Sequence, residues 1–180
     1  MRCFLSLDLP DRCRDPLLSM IGGLRVGRAV PWDNLHITLS FLDDQPEEAL
    51  EELHALLEPL RLPAPELRFA GLDFFGPGKA RMLAALVEPD PRLISLQAEL
   101  DRLARRAGIQ PERRAFRPHV TLVRFRHAMA PAEEAALQGF LAAPPVVEIA
   151  PAHASCFSLQ RSTLTPEGAR YETLAAYPLI

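Results

Sequence analysis

Two hydrophobic periods run through this chain, and the points where one gives way to the other predict its elements. Residues 2–9 read as a strand that Pro10 ends, and residues 35–42 (LHITLSFL) read as a second strand. Residues 11–25 read as a helix with Asp11 as cap and Leu17, Leu18 and Ile21 on one face. Pro46 to Leu57 reads as a helix, because a proline start and early glutamates precede Leu50, Leu53, Leu56 and Leu57 at helical spacing. Residues 66–75 and 80–88 read as a strand pair joined through Gly76-Pro77-Gly78. A helix over 91–107 carries Leu93, Leu96, Leu100 and Leu103 on one stripe, with Gly108 as its stop. Residues 118–126 read as a strand and 131–142 as a helix. Two closing strands, 153–161 and 169–177, flank a Thr165-Pro166-Glu167-Gly168 turn.

Strands and helices are thus interspersed, and several strand pairs have hairpin-length links. That pattern predicts an α+β fold with mostly antiparallel sheets and argues against a doubly wound parallel sheet. A helix, a loop and a His-x-Thr-Leu strand occur in residues 11–42, and the same order recurs in 91–126. The expectation is one domain over residues 1–180, built as two similar lobes that each give a central strand to a shared cleft. The 18 prolines concentrate at junctions between elements, as punctuation rather than as a disordered linker.

The repeated tetrads, His36-Ile-Thr38-Leu and His119-Val-Thr121-Leu, carry the chemistry. Side chains in a strand alternate faces, so each His and Thr share one face and the two apolar residues anchor the other. With five histidines and five threonines in the chain, roughly 0.14 His-x-Thr triplets are expected by chance, so the doubling marks a joint role. Two imidazoles facing one phosphorus can act as general base and general acid near neutral pH. Two threonine hydroxyls can donate to the non-bridging oxygens. Cofactors are not expected, and neither is a metal: the sequence has no His-x-His or His-Glu-x-x-His, and threonine is a poor ligand for such a site.

Net charge of −3 excludes a general appetite for polyanions. The basic residues are unevenly spread, however, with eight arginines between Arg102 and Arg126 around the second tetrad. Cys3, Cys13 and Cys156 lie far apart and form neither a disulfide framework nor a zinc motif. The N-terminal apolar run is interrupted by Asp8, and no stretch approaches a membrane span. The expectation is a cytoplasmic monomer without membrane contact.

The residues around the tetrads resemble the 2H phosphoesterase superfamily, and within it the RNA 2′,3′-cyclic phosphodiesterases, also called 2′-5′ RNA ligase-like proteins. The resemblance is carried by Arg2-Cys3-Phe4, by Trp32 to Leu42, by Phe116 to Arg124, and by Tyr171 and Tyr177-Pro178-Leu179. It spans essentially the whole chain. It implies two α+β lobes around a cleft that opens a 2′,3′-cyclic phosphate, at an RNA end or on a small cyclic nucleotide, to a 2′-phosphomonoester. By resemblance His36 is the proton donor, His119 the proton acceptor, and Thr38 and Thr121 the phosphate-binding residues. The tetrads themselves are locally alike and leave donor and acceptor open.

Arg124 stands where the family commonly has arginine. Strict alternation puts it on the face opposite His119, so only a bulge or strand end would bring it into the cleft. Parity likewise places Phe41 behind the sheet with Ile37 and Leu39, in the core. His54, His127 and His153 are read as incidental. One departure from the family is Asp43, where glycine is common, at a turn. Other substrates for the same chemistry are a cyclic phosphate of ADP-ribose or a 2′-5′ RNA linkage, cleaved or joined. A different class of reading, a non-catalytic RNA-binding module built on the arginine segment, leaves the doubled tetrad unexplained.

Overall fold

A computed structural model describes residues 1–75, 82–112, 114–125, 129–166 and 168–180. In chain order its elements are β1 (Arg2–Asp8), α1 (Asp11–Ser19), β2 (Arg28–Ala29), a 3₁₀ turn (Trp32–Asn34), β3 (His36–Asp44), α2 (Glu47–Leu57), β4 (Glu66–Leu67), β5 (Phe69–Phe75), β6 (Met82–Val87), α3 (Pro91–Arg106), β7 (His119–Arg124), α4 (Pro131–Ala142), β8 (Ala152–His153), β9 (Cys156–Thr165) and β10 (Gly168–Pro178).

The fold is α+β, and every strand pair among the described residues is antiparallel. One eight-stranded sheet runs β10-β9-β1-β3-β7-β6-β5 with β2 beside β7, and β4 pairs with β8 in a separate ribbon. The two expected lobes are halves of this sheet. They join at β3 and β7, where Ile37 opposite Val120 is the one residue pair in register.

Exchanging the halves maps most of the pairing scheme onto itself, with β2 and β10 as additions. The order β1-α1-β3-α2-β4-β5 matches β6-α3-β7-α4-β8-β9. In each half the first strand pairs with the tetrad strand, and each half lends its last strand to the edge of the other, β5 to β6 and β9 to β1. The tetrad strands meet each other, and so do β4 and β8. The repeat visible in the sequence is therefore an approximate two-fold relation whose axis passes between the tetrads.

Leucines hold this arrangement. Leu5, Leu7, Ile37, Leu39, Val120 and Leu122 turn one apolar face of the sheet toward Leu17 of α1, Leu53 of α2 and Leu100 of α3, in one continuous core. Burial of each such side chain contributes about 1.5–3 kcal/mol. α3 starts where Asp90 accepts from the backbone N–H groups of Arg92 and Leu93, as an N-cap does. With the helices on this face, the other face of β3 and β7 is left for the histidines.

Several boundaries differ from the expected ones, each for a local reason. α1 stops at Ser19 rather than at residue 25, because Gly22-Gly23 follows and Gly23 takes φ +89°, which no helix accepts. The expected strand 66–75 is two strands broken at Arg68, since β4 turns away to pair with β8 while β5 stays in the main sheet. The expected strand 153–161 divides in the same way into β8 and β9. The Gly76-Pro77-Gly78 link and Glu167 of the second turn lie outside the described residues. No helix among the described residues is long and apolar enough to cross a membrane.

Asp43 takes φ 57°, the left-handed region, at the end of β3. Glycine suits that conformation without steric cost, and aspartate holds it against one. Replacing Asp43 with glycine is expected to raise stability by about 0.5–1 kcal/mol, read as a higher denaturant midpoint with an unchanged slope.

Candidate active site

β3 contributes His36 and Thr38, and β7 contributes His119 and Thr121. The antiparallel pairing of Ile37 with Val120, carried one residue each way, sets His36 opposite Thr121 and Thr38 opposite His119. The histidines are then diagonal neighbours on one face, about 7–8 Å apart at their Cα atoms. A phosphate accepting a hydrogen bond from each side fits such a span. The structure brings all four tetrad side chains together.

Each imidazole is held the same way. Nδ1 of His36 donates to the carbonyl of Asn34 at 2.7 Å, and Nδ1 of His119 donates to the carbonyl of Arg117 at 2.7 Å. A carbonyl only accepts, so Nδ1 carries the hydrogen in both rings and each Nε2 is the nitrogen left for chemistry. The Thr38 hydroxyl lies 3.1 Å from the His36 Nε2 and donates to it in the neutral ring.

Packing and charge then set the protonation of the two imidazoles. Phe4 lies 5.0 Å from the His36 ring and Tyr171 meets it edge-on at 5.2 Å. Phe75 stacks on His119 at 4.1 Å, and the Arg117 guanidinium lies 4.6 Å from the same phenyl ring. Burial pushes His36 down from the usual 6.5 to about 4; the Asn34 carbonyl and Asp8 oppose this, while Arg124 and His119 add to it. Burial also lowers His119, opposed by the Arg117 carbonyl and reinforced by the charges of Arg117 and Arg124.

Two bulges place residues that strict alternation misplaces. Opposite β1, Leu5 faces Ser40 and Ser6 faces Thr38, so Leu39 is skipped. Opposite β6, Leu83 faces Val123 and Ala84 faces Thr121, so Leu122 is skipped. The extra residue is the leucine of the tetrad both times, and it reverses the facing of the residues that follow it, as far as Phe41 in β3 and Arg124 in β7. Arg124 therefore projects on the side of His119, and its charge reaches both imidazoles. Phe41, expected in the core, is corrected by the equivalent bulge: it is 46% exposed and lines the cleft near Phe75 and Phe116. Phe41 and Arg124 occupy matching positions in the two halves.

The cleft beside Thr38 and His119 encloses about 240 Å³ and is walled by Phe41, Phe75, Phe116 and Arg117. A second hollow of about 200 Å³ lies on the other side of His36, lined by Asp8, Asn34, Gln160 and Tyr171. Asn34, Arg117, Phe75 and Asp8 were not legible as site residues. Two of them act through backbone carbonyls, which leave no side-chain signal. The other two arrive from β5 and β1 through register alone.

The arginine segment is not one basic face. Arg102 pairs with Glu99 at 2.7 Å, Arg105 with Asp101 at 3.4 Å, Arg114 with Glu112 at 2.7 Å and Arg117 with Asp73 at 3.0 Å. Arg113, Arg126 and His127 lie outside the described residues. His54 bonds the Tyr177 hydroxyl at 2.9 Å, and His153 is exposed on β8. Among the described residues no three His, Cys, Asp or Glu side chains cluster as a metal site would require.

Fold and site together define a class: an antiparallel α+β protein with two His-x-Thr strands paired side by side, their histidines on one face of the sheet. The chain belongs to the 2′-5′ RNA ligase superfamily, whose family model matches residues 22–158. It is 32% identical to the RNA 2′,3′-cyclic phosphodiesterase of Thermus thermophilus, covering 99% of this chain and 90% of the relative. It is 26% identical to the protein of that name from Archaeoglobus fulgidus, covering 98% and 99%. The apo crystal structure of Escherichia coli LigT superposes with a TM-score of 0.79 at 27% identity, covering 99% of this chain and 96% of that one. The same protein complexed with 3′-AMP gives 0.74 with the same coverage.

The depressed His36 value has a consequence for stability. Between pH 6.5 and about 4 the unfolded chain takes up a proton on His36 that the folded chain refuses, so stability falls as pH falls, by roughly 3 kcal/mol across the window. Denaturant titrations at pH 7 and pH 4.5 are expected to show a smaller acid loss in His36→Gln than in the parent protein.

Proposed function

We propose that the cleft hydrolyses RNA 2′,3′-cyclic phosphodiester ends to 2′-phosphomonoesters by acid–base catalysis between His36 and His119. The observation that carries this reading is the pair of Nε2 atoms, each fixed by an Nδ1–carbonyl bond, on diagonal positions of one cleft. The names of the relatives support the substrate class. Residues 1–180 act as one bilobal unit, because the two histidines come from different halves.

The cyclic phosphate sits between the imidazoles. Thr38 and Thr121 donate to its non-bridging oxygens, and Arg124 offsets the charge that builds there. His119 Nε2 takes a proton from water as the water oxygen attacks phosphorus. His36 Nε2 gives a proton to O3′ as the P–O3′ bond breaks, leaving the phosphate on O2′. Both imidazoles are pushed toward neutral, so the free protein holds too few protons for this cycle near pH 7. The anionic substrate corrects this, since a negative charge between the rings favours the protonated form of each. Substrate binding is therefore coupled to proton uptake.

Replacing His36 or His119 with alanine is expected to lower turnover of a 2′,3′-cyclic nucleotide by about 10²–10⁴-fold for each residue with the fold retained. Activity near the parent level in either variant ends this reading. EDTA is expected to leave turnover unchanged. The pH dependence follows from the lowered imidazoles: kcat/KM, which reports the empty enzyme, peaks below pH 6.5, and kcat peaks at higher pH. A panel of RNA ends, cyclic phosphates of ADP-ribose and 2′-5′ linked oligomers ranks the substrates.

A further inference from the structure

The two tetrads hold their histidines by the same backbone contact, yet the charged residues around them differ. Asp8 is the residue of β1 directly opposite His36. In the other half the residue opposite His119 is Leu86 of β6. Opposed residues of an antiparallel pair share a face, so a carboxylate flanks one imidazole and an aliphatic chain flanks the other. The residue whose carbonyl holds the ring is Asn34 for His36 and Arg117 for His119. Beyond the bulges, Phe41 follows the first tetrad and Arg124 the second. The fold is nearly symmetric, and its charge is not.

Asp8 is also built in. Its Oδ2 accepts from the Ser158 hydroxyl at 2.7 Å and from the Cys156 thiol at 3.1 Å, and its Oδ1 accepts from Ser6 at 3.5 Å. Ser158 and Ser6 are buried, so their hydroxyls have little recourse to water. The thiol stays protonated, pushed up to about 11 by burial first and by Asp8 second. β9 thus presents two donors that aim a β1 carboxylate into the hollow beside His36.

We propose that Asp8 is a positioning residue that makes His36, and not His119, the imidazole that holds the proton when the phosphodiester is bound. The inference rests on the two-histidine reading above and goes beyond it, because the tetrads alone leave donor and acceptor open. The other groups facing His36 are accounted for on each packed element. Thr38 and the Asn34 carbonyl lie on its own segment, Phe4 on β1 and Tyr171 on β10. His119 and Arg124 on β7 oppose a proton there. Arg14 of α1 lines the same hollow, with Asp33 beside it, and spends its guanidinium on the Trp32 and Leu35 carbonyls. Among these, Asp8 is the group whose charge favours a proton on His36.

The test is Asp8→Asn, which keeps the shape and an acceptor oxygen and removes the charge. Each imidazole is titrated by ¹H–¹⁵N NMR in the full chain saturated with 2′-AMP. The expected result is a fall of about one pH unit for His36 with His119 nearly unmoved. It is accompanied by a roughly tenfold lower kcat at pH 7 with KM little changed, and by recovery in Asp8→Glu. A merely structural Asp8 predicts lower thermal stability with both titrations unmoved, and that result overturns the proposal. Should Asp8→Asn lose its fold, Leu86→Asp carries the test in the opposite sense. It is expected to raise the His119 titration by about one unit, and an unmoved His119 overturns the proposal. Failure here leaves the two-histidine reading standing, since that reading falls only with active His36→Ala or His119→Ala variants.

Discussion

Where β3 and β7 meet at Ile37 and Val120, the strand period of two does most of the work of building a site. It sends Ile37 and Val120 into the core and puts a histidine and a threonine on either side of each, facing away from it. Antiparallel direction then crosses the pairs, histidine opposite threonine. A parallel pairing, or a slip of one residue, would bury the imidazoles or set like beside like. The helices packed on the back face keep the front free, and the leucines of β3 and β7 hold the register by filling that core. Sheet closure, core packing and the placing of two Nε2 atoms are thus one constraint seen at three scales.

The same meeting point explains what could be read from the chain and what could not. Periodicity located the four helices and the strands, because amphipathic faces record which side is buried. It located His36, Thr38, His119 and Thr121 together, because all four precede the bulges. It misplaced Phe41 and left Arg124 undecided, because a bulge is a property of two strands in register and not of either one alone. The tetrad leucines, Leu39 and Leu122, look like ordinary inward residues. Only their skipped positions opposite β1 and β6 reveal that the facing reverses after them. The arginine-rich segment misled in another way: Glu99, Asp101 and Asp73 lie before the window in sequence and against it in space.

Burial of the histidines sets the chemistry's terms. Partial burial strengthens hydrogen bonds made in the cleft, and it also strips the imidazoles of part of the solvent that stabilises their cationic forms. On the proposed mechanism, the free protein is arranged against the charge state that turnover needs, and an anionic substrate restores it. In this arrangement the ligand is a participant in proton bookkeeping, and the backbone carbonyls of Asn34 and Arg117 are the fixed points. Near-symmetry supplies two imidazoles held by the same backbone contact, and in the proposed reading the unlike neighbours Asp8 and Leu86 distinguish them.

The central claim is that the two histidines act from opposite sides of one phosphorus as proton carriers, with neither forming a bond to it. Stereochemistry at phosphorus tests it most directly. A single diastereomer of a 2′,3′-cyclic phosphorothioate, opened in ¹⁸O-water, gives a product whose configuration is read by phosphorus NMR. One in-line attack by water predicts inversion. Retention requires two displacements through a phosphorylated imidazole and would contradict the account.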